Sequence, residues 1–325
     1  MKLPRRQFLY LAAGAATLPA VSQIARGQAY PTRPITMIVP FPAGGPTDVV
    51  GRVIAERIRN SLGQPIIIEN VSGADGSIGV GRAARARADG YTIVLGALGT
   101  VLNGAFYSLP YDAVNDFAPI SPLATFPLIL FARKTIPANN LNELIAWLKA
   151  NPNTASAAIQ VLGVHLETAF FQKQTGTQFA LVPYRGSAPA MQDLVAGHID
   201  LFFDTPIQLP LVRAGSIRAF AVTSDTRLAL APDIPTFREM GLPALSYSSW
   251  QGLFVPRGTS KEIIAKLNAA AVEALADPAV QSRLVDLGMQ VFPRERQTPE
   301  ALGALVKADA EKWWPIIKES GIKPQ

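Results

Sequence analysis

The 325-residue sequence has no cysteine and only two histidines, His165 and His198, and charged side chains make up 17% of it. Without cysteine there is no disulfide, no thiolate nucleophile, no iron–sulfur cluster and no cysteine-ligated zinc. A histidine-based metal or catalytic centre would have to be built from one or both of those two residues. Motifs that announce catalysis are also missing: no G-x-S-x-G, no G-x-x-x-x-G-K and no H-E-x-x-H occurs. Ser320-Gly321-Ile322-Lys323 matches the letters of S-x-x-K, but it stands at the end of the chain and does not open a buried helix. No low-complexity or like-charge block follows residue 30.

The charge that is present is unevenly placed. Against 24 acidic residues stand 30 Lys and Arg, a net of +6, which could suggest a nucleic-acid or membrane-surface partner. Residues 1–29 hold Lys2, Arg5, Arg6 and Arg26 and no acid, so the remainder has 26 basic against 24 acidic side chains, a net of +2. The body is nearly neutral, and no nucleic-acid partner is expected. The first 29 residues have the order of an export signal: a basic start, an apolar stretch from Phe8 to about Ile24, and "GQA" ending at Ala29. Arg5-Arg6 before Gln7-Phe8-Leu9 resembles the twin-arginine form. Gly14, Pro19 and Ser22 interrupt the stretch, which argues against a retained membrane span. Export to the periplasm is the expectation.

From Pro34 onward, β-branched runs alternate with helical patterns. "ITMIVPF" (35–41) precedes a helix marked by Val50, Val53, Ile54, Ile58 and Leu62, and "PIIIEN" (65–70) precedes a glycine turn and an alanine-rich helix. "YTIVLGA" (91–97) completes a βαβαβ series, the pattern of a parallel sheet covered by helices. A second α/β series begins after "SPLATFPLILFARK" (121–134). It has helices near 141–150, 165–174 and 188–196, and strands at "FALVPY", "IDLFFD" and "IRAFAVT". The tail after Trp250 is mostly helical, with Thr259 and Glu262 spaced as a capping box and Thr298-Pro299-Glu300 as a helix start. "KWWP" (312–315) reads as helix packing. Two α/β domains with mainly parallel sheets follow from this order.

The stretch "PFPAGGPTDVVGR" (40–52) joins a strand to a helix through small residues, an arrangement that turns free backbone N–H groups and the positive helix end toward an anion. Gly44 and Gly45 have no side chains to obstruct that approach, and Pro46 suits the first helical position. Asp48 in the first turn must be turned away, bridged by water or paired with a ligand ammonium. The construction recurs at "NVSGADGSIG" (70–79) and at "PYRGSAPA" (183–190), where Ser187 is a candidate N-cap and Arg185 supplies charge. In open α/β sheets ligands bind at the carboxyl ends of strands, where all three turns would lie. Several helix N-termini facing one cleft suit a carboxylate. His165, at the head of an apolar helix, is either a satisfied structural residue or a ligand contact; His198 follows a helix stop and reads as a surface turn residue.

Five ordered motifs then carry a resemblance: "PFPAGGPTDVVGR", "LPYDAVNDFAPISPLA" (109–124), "VPYRGSAPAMQDLVAGHIDLFFD" (182–204), "AVTSDTRLALAPDIPTFREMGLP" (221–243) and "WQGLFVPRGTS" (250–260). Over residues 30–325 the chain resembles the Bug-type solute receptors of tripartite tricarboxylate transporters. The resemblance implies a two-lobed, type II-like periplasmic binding protein, with lobe 1 from 30–128 plus 252–325, lobe 2 from 129–251, and a ligand cleft between. It implies a small organic carboxylate as ligand, no metal or cofactor, a monomer, and integral-membrane transporter subunits as partners. The implied ligand loops contain Phe41, Pro42, Ala43, Gly44, Gly45 and Asp48; Thr100 and Asn103; Ala158 and His165; Tyr184, Arg185, Gly186 and Ser187; and Asp204. One departure stands out. Ile159 and Val161 replace the glycines usual before the helix with the matching histidine, which shifts the expectation toward a longer, aromatic or partly apolar carboxylate. Hinges are expected near 125–131 and 248–254. A periplasmic enzyme acting on a carboxylate, or a receptor feeding a signalling partner, are the alternatives.

Overall fold

A computed structural model describes residues 30–320; the export signal expected over 1–29 and most of the S-x-x-K match lie outside them. The first lobe opens with β1 (Ile35–Val39), α1 (Pro46–Leu62), β2 (Ile66–Asn70), α2 (Ser77–Ala84), β3 (Thr92–Ala97), α3 (Leu98–Phe106) and β4 (Phe117–Phe126). The second lobe comprises β5 (Ile129–Arg133), α4 (Leu141–Ala150), β6 (Ser156–Ile159), α5 (Leu162–Thr175), β7 (Ala180–Pro183), α6 (Ser187–Ala196), β8 (Leu201–Asp204), the short α7 (Leu209–Arg213) and β9 (Ile217–Val222). The chain then returns to the first lobe through β10 (Ser249–Pro256), α8 (Lys261–Ala276), α9 (Pro278–Asp286), β11 (Gln290–Val291) and α10 (Pro299–Ser320).

Local chemistry explains the element ends. In α1, Val50, Ile54, Ile58 and Leu62 form the buried stripe, Pro46 takes the first helical position, and Gly63 closes the helix at φ 67° while its N–H donates to Arg59. Two helix starts differ from expectation. Ser260 caps α8 by accepting from the Ile263 N–H, because the Thr259 hydroxyl is already committed to the Pro256 carbonyl. Gly186 is the N-cap of α6, at φ 122°, and Ser187 is its first helical residue.

The sheets run β11-β4-β10-β3-β1-β2 and β7-β6-β8-β5-β9. They are mixed, where the sequence had suggested mainly parallel sheets. Parallel pairing joins β1 to β2 and β3, and β6 to β7 and β8. β10 runs against both its neighbours, and so does β5. The reason is topological: these are the two strands that begin just after the chain has changed sheets. A chain that arrives at the carboxyl edge of a sheet has to run back down it. Both changes of sheet therefore lie at the carboxyl edges.

The two crossings are held together by Thr223, which is fully buried. Its Oγ1 accepts from the Leu128 N–H at 2.9 Å, its own N–H donates to the Leu128 carbonyl, and its carbonyl accepts from Tyr247 at 2.8 Å. The second lobe has one core, in which Phe171, Phe203 and Phe237 meet at centroid distances of 5.9 to 6.1 Å. In the first lobe the sheet separates a core under α1, α8 and α9 from one under α2, α3 and α10. Leu162 and Leu166 of α5 enter the latter, so a helix of one lobe is seated in the core of the other.

The lobes also meet at Gly288. Its φ is +73°, and a Cβ built there would overlap the Pro206 ring of the second lobe. Gly288→Ala is expected to lower unfolding stability by about 2 to 3 kcal/mol, since backbone strain and overpacking act together. Urea unfolding of the variant checks this; an unchanged midpoint would mean the two lobes do not touch there.

Candidate functional site

Six strand-to-helix turns end at the carboxyl edges, after β1, β2 and β3 in one lobe and after β6, β7 and β8 in the other. The two edges face each other: Asp75, in the turn after β2, acts electrostatically on His165 in the first turn of α5. Helices α3 and α5 pack side by side there, with Leu98 and Leu102 in one cluster with Leu162 and Leu166.

Asp48 organises the turn after β1. Its carboxylate accepts from the Gly44 N–H at 2.8 Å, from Arg52 Nε at 2.9 Å and from Asn70 Nδ2 at 2.9 Å. Asn70 also donates to the Phe41 carbonyl. Burial pushes the Asp48 carboxyl up, but the bonds from Arg52, Gly44 and Asn70 together with the Arg52 charge outweigh it and hold the group below its ordinary value. The acid is thus turned into the loop framework, with its charge met by Arg52. What the loop presents outward is Pro42, Ala43 and Gly44, all exposed. Gly44 sits at φ +80°, and a Cβ there would meet nothing within 4 Å.

Asp204 plays the same part in the second lobe. It is 2% exposed and accepts from the Ser187 hydroxyl, from the Thr205 N–H at 2.8 Å and from Gln208 Nε2 at 2.9 Å. Burial raises its carboxyl above the ordinary value against those three bonds. Tyr184 donates its hydroxyl to Asp193 at 2.6 Å, which leaves Arg185 as the exposed cation of this turn, with no side-chain hydrogen bond or ion pair among the described residues. Gly186, at φ 122°, lets the chain enter α6 beside it.

The remaining expected residues divide. Thr100 is spent on its own turn, bonding both the N–H and the carbonyl of Ala97. Asn103 is fully buried; Nδ2 donates to the Asp75 carbonyl and to Ser77 Oγ, and Oδ1 has no partner. It pins the turn after β2, where Ala74 and Asp75 both have positive φ. Ala158 is buried in the middle of β6 and offers no surface, so the structure removes it from the cleft wall. Ile159 is 2% exposed whereas Val161 is 39% exposed, so only Val161 presents apolar surface. Also exposed are Ile78, in the first turn of α2, and Ile207, in the short helical turn after β8. His165 is half-buried; burial lowers its imidazole, against the pull of Asp75, so it is neutral at pH 7. His198 is on the surface, paired with Asp193.

Sequence reasoning missed the residues that hold the turns in place. Asn70 ends β2, Tyr107 follows the end of α3 and donates to Asp75, Gln208 precedes α7 and Gln251 lies near the start of β10; each is a single polar side chain. Gln251, fully buried on β10, reaches across to Thr47 in the first turn of α1. No periodicity or motif marks such residues; only Gln208, four positions after Asp204, had a spacing that could have been noticed.

Residues 50–322 match the family model described as "Tripartite tricarboxylate transporter family receptor". The chain is 36% identical to Protein BugT of Bordetella pertussis over 300 residues, covering 90% of this chain and 91% of that one. Among solved structures, MatC from Rhodopseudomonas palustris with bound malate is 36% identical, with a TM-score of 0.81, covering 89% of this chain and all of that one. Another R. palustris protein, solved with adipate, is 34% identical with a TM-score of 0.82, covering 91% of this chain and all of that one.

Asp48→Ala is expected to destabilise the fold by about 1 to 3 kcal/mol, because the Gly44 N–H and the Asn70 amide lose their acceptor. The pH dependence has a definite sign. A carboxyl lowered in the folded state stabilises above its ordinary value and loses that contribution as pH falls through its folded value. Thermal melts from pH 7 to pH 3 should show the wild type losing its advantage over Asp48→Ala on the acid side; parallel curves would refute this role.

Proposed function

Because the chain belongs to the tripartite tricarboxylate transporter receptor family, we propose that it captures a small organic carboxylate between its two lobes and delivers it to a membrane transporter. One observation carries the reading: the chain changes sheets at the carboxyl edges of both, where the strand-to-helix turns lie, and the acids in two of those turns, Asp48 and Asp204, are already held by several hydrogen bonds each. An anion can approach the backbone there without meeting an unpaired carboxylate. Capture takes place in the periplasm after export, by a monomer, with lobe 1 formed by 30–128 plus 252–325 and lobe 2 by 129–251. Closure occurs about the crossings near 125–131 and 248–254. Among the described residues no helix is long and apolar enough to cross a membrane, so the transporter supplies the membrane part.

The energetics indicate the ligand class. One helix terminus contributes about 0.3 to 1 kcal/mol, whereas micromolar binding needs about 8 kcal/mol. Three termini leave most of that to be found elsewhere. Arg185 is free to take a second carboxylate, and Val161, Ile78 and Ile207 provide apolar surface around the cleft. Four buried methylenes contribute about 3 kcal/mol. A dicarboxylate with an apolar middle, of the length of adipate, uses all of these features; malate, shorter and hydroxylated, uses fewer. Binding is favoured over turnover because, among the described residues, the nucleophile, base and orienter set of a hydrolase is incomplete: Ser187 donates to Asp204, but no histidine joins that pair, and His198 is paired with Asp193 instead.

A thermal-shift screen of mature protein against mono-, di-, tri- and aromatic carboxylates tests this. A ligand at 100 times its dissociation constant adds about 2.7 kcal/mol and should raise the melting point by roughly 5 to 10 °C. Adipate is expected to outrank malate, and no response across the panel would sink the carboxylate reading. Gly45→Val is the sharpest variant, since Gly45 has ordinary negative φ, −76°, and room for a Cβ. It should fold normally and lose ligand at least about tenfold. Arg185→Gln should weaken dicarboxylates more than monocarboxylates; equal loss for both would remove Arg185 from the site.

A further inference from the structure

Glu167 is the acid the binding site does not use. It lies in the middle of α5, the second-lobe helix seated in the first lobe's core, and is 1% exposed. Its Oε1 has no hydrogen-bond partner among the described residues. The surroundings are aromatic and come from both lobes. Three residues further along α5, Phe170 meets Trp313 of α10 edge-on at 6.3 Å, and Tyr247, in the second crossing, meets the same indole at 5.3 Å. Ser246, beside Tyr247, also has an unpartnered buried hydroxyl.

The charged groups around this slot do not neutralise the acid. Lys312 of α10 is exposed and holds its ammonium 4.5 Å from the Trp313 ring centroid; it forms no ion pair with Glu167 among the described residues, although its charge is felt. Asp309, one turn earlier on α10, accepts from Trp250 Nε1 at 2.6 Å, and burial raises its own carboxyl. Tyr247 is raised by burial and by the nearness of Glu167, so it stays a neutral phenol. On α5 itself, His165 is lowered by burial and is neutral at pH 7. An unpaired carboxylate in such a place is costly, and a proton relieves the cost. Burial accordingly pushes Glu167 up to about 8.

We propose that Glu167 is a proton-holding site walled by both lobes, which makes the balance between lobe arrangements depend on pH. The walls exist only while α5 lies against α10 and the second crossing. If the lobes turn about the crossings, as the receptor reading requires, water reaches the carboxyl and it returns to the ordinary range. The arrangement described here then holds one more proton than the turned one. Rising pH disfavours it and falling pH favours it, by up to tenfold in the ratio of the two arrangements per pH unit between the two pKa values.

The absence of cysteine makes a direct test simple. Ile67→Cys on the first lobe and Val195→Cys on the second, both at exposed positions, accept a fluorophore pair whose energy transfer reports lobe separation in the full mature chain. Between pH 5 and pH 9 the transfer efficiency should change in the parent. It should stay at its low-pH value throughout in Glu167→Gln, which mimics the neutral acid, and in Glu167→Met, which removes the proton site while keeping the volume. His165→Gln and Asp309→Asn should keep the parent's response. A pH response that survives in both Glu167 variants, or that vanishes with His165 or Asp309 instead, overturns the proposal. Saturating adipate separates the two readings. Lobes that respond to adipate but not to pH leave the receptor standing and remove the proton site; lobes that respond to neither remove the hinge as well.

Discussion

Thr223 joins the two places where the chain passes from one sheet to the other, through bonds to Leu128 on one side and Tyr247 on the other. The side on which the strand-to-helix turns of the two lobes meet depends on where that junction sits. Because β5 and β10 begin at the carboxyl edges, the junction lies at the level of the strand-to-helix turns. The strand-to-helix turns of both lobes therefore lie on the side where the chain changes sheets, and the proposed capture and closure use that side. A connection at the opposite edges would leave the same loops facing solvent on separate surfaces.

The two lobes hold the acid of a strand-to-helix turn in the same way. Asp48 and Asp204 each accept a backbone N–H and side-chain donors, so their lone pairs are directed into the loop. The difference lies in charge. Asp48 has Arg52 beside it, whereas Asp204 is held by neutral donors and is raised by burial. In the proposed capture, recognition is left to the backbone, to Arg185 and to apolar surface. Such a site can change its ligand by altering loop side chains without disturbing the frame that holds the loops.

The contact between lobes is not a passive seam. Through Leu162 and Leu166, α5 shares the first lobe's core, and its own first turn carries His165 and the loop with Val161. The proposed movement of the lobes and the proposed ligand loop therefore share one helix. Glu167, an unpaired acid on that helix, places a titratable group at the same interface.

Much of this was legible in the linear order of residues. Alternating β-branched runs and amphipathic stripes, such as Val50, Ile54 and Ile58, determined the α/β elements, because side-chain periodicity is a local property. Gly44, Gly45 and Pro46 marked the turn between β1 and α1, because backbone freedom and a helix start are also local. The direction of β5 and β10 was not legible, since nothing in a strand's own residues tells which way its neighbours run. Nor was the fate of individual side chains. Ala158 and Ile159 are buried by other elements, Asp48 takes the Asn70 amide and Asn103 reaches a neighbouring turn, all because of partners distant in sequence; Thr100 is spent on the nearby Ala97. Sequence determined which turns could meet a ligand; only the tertiary structure decided which atoms in them remain free, because hydrogen-bond partners and burial are set by the whole fold.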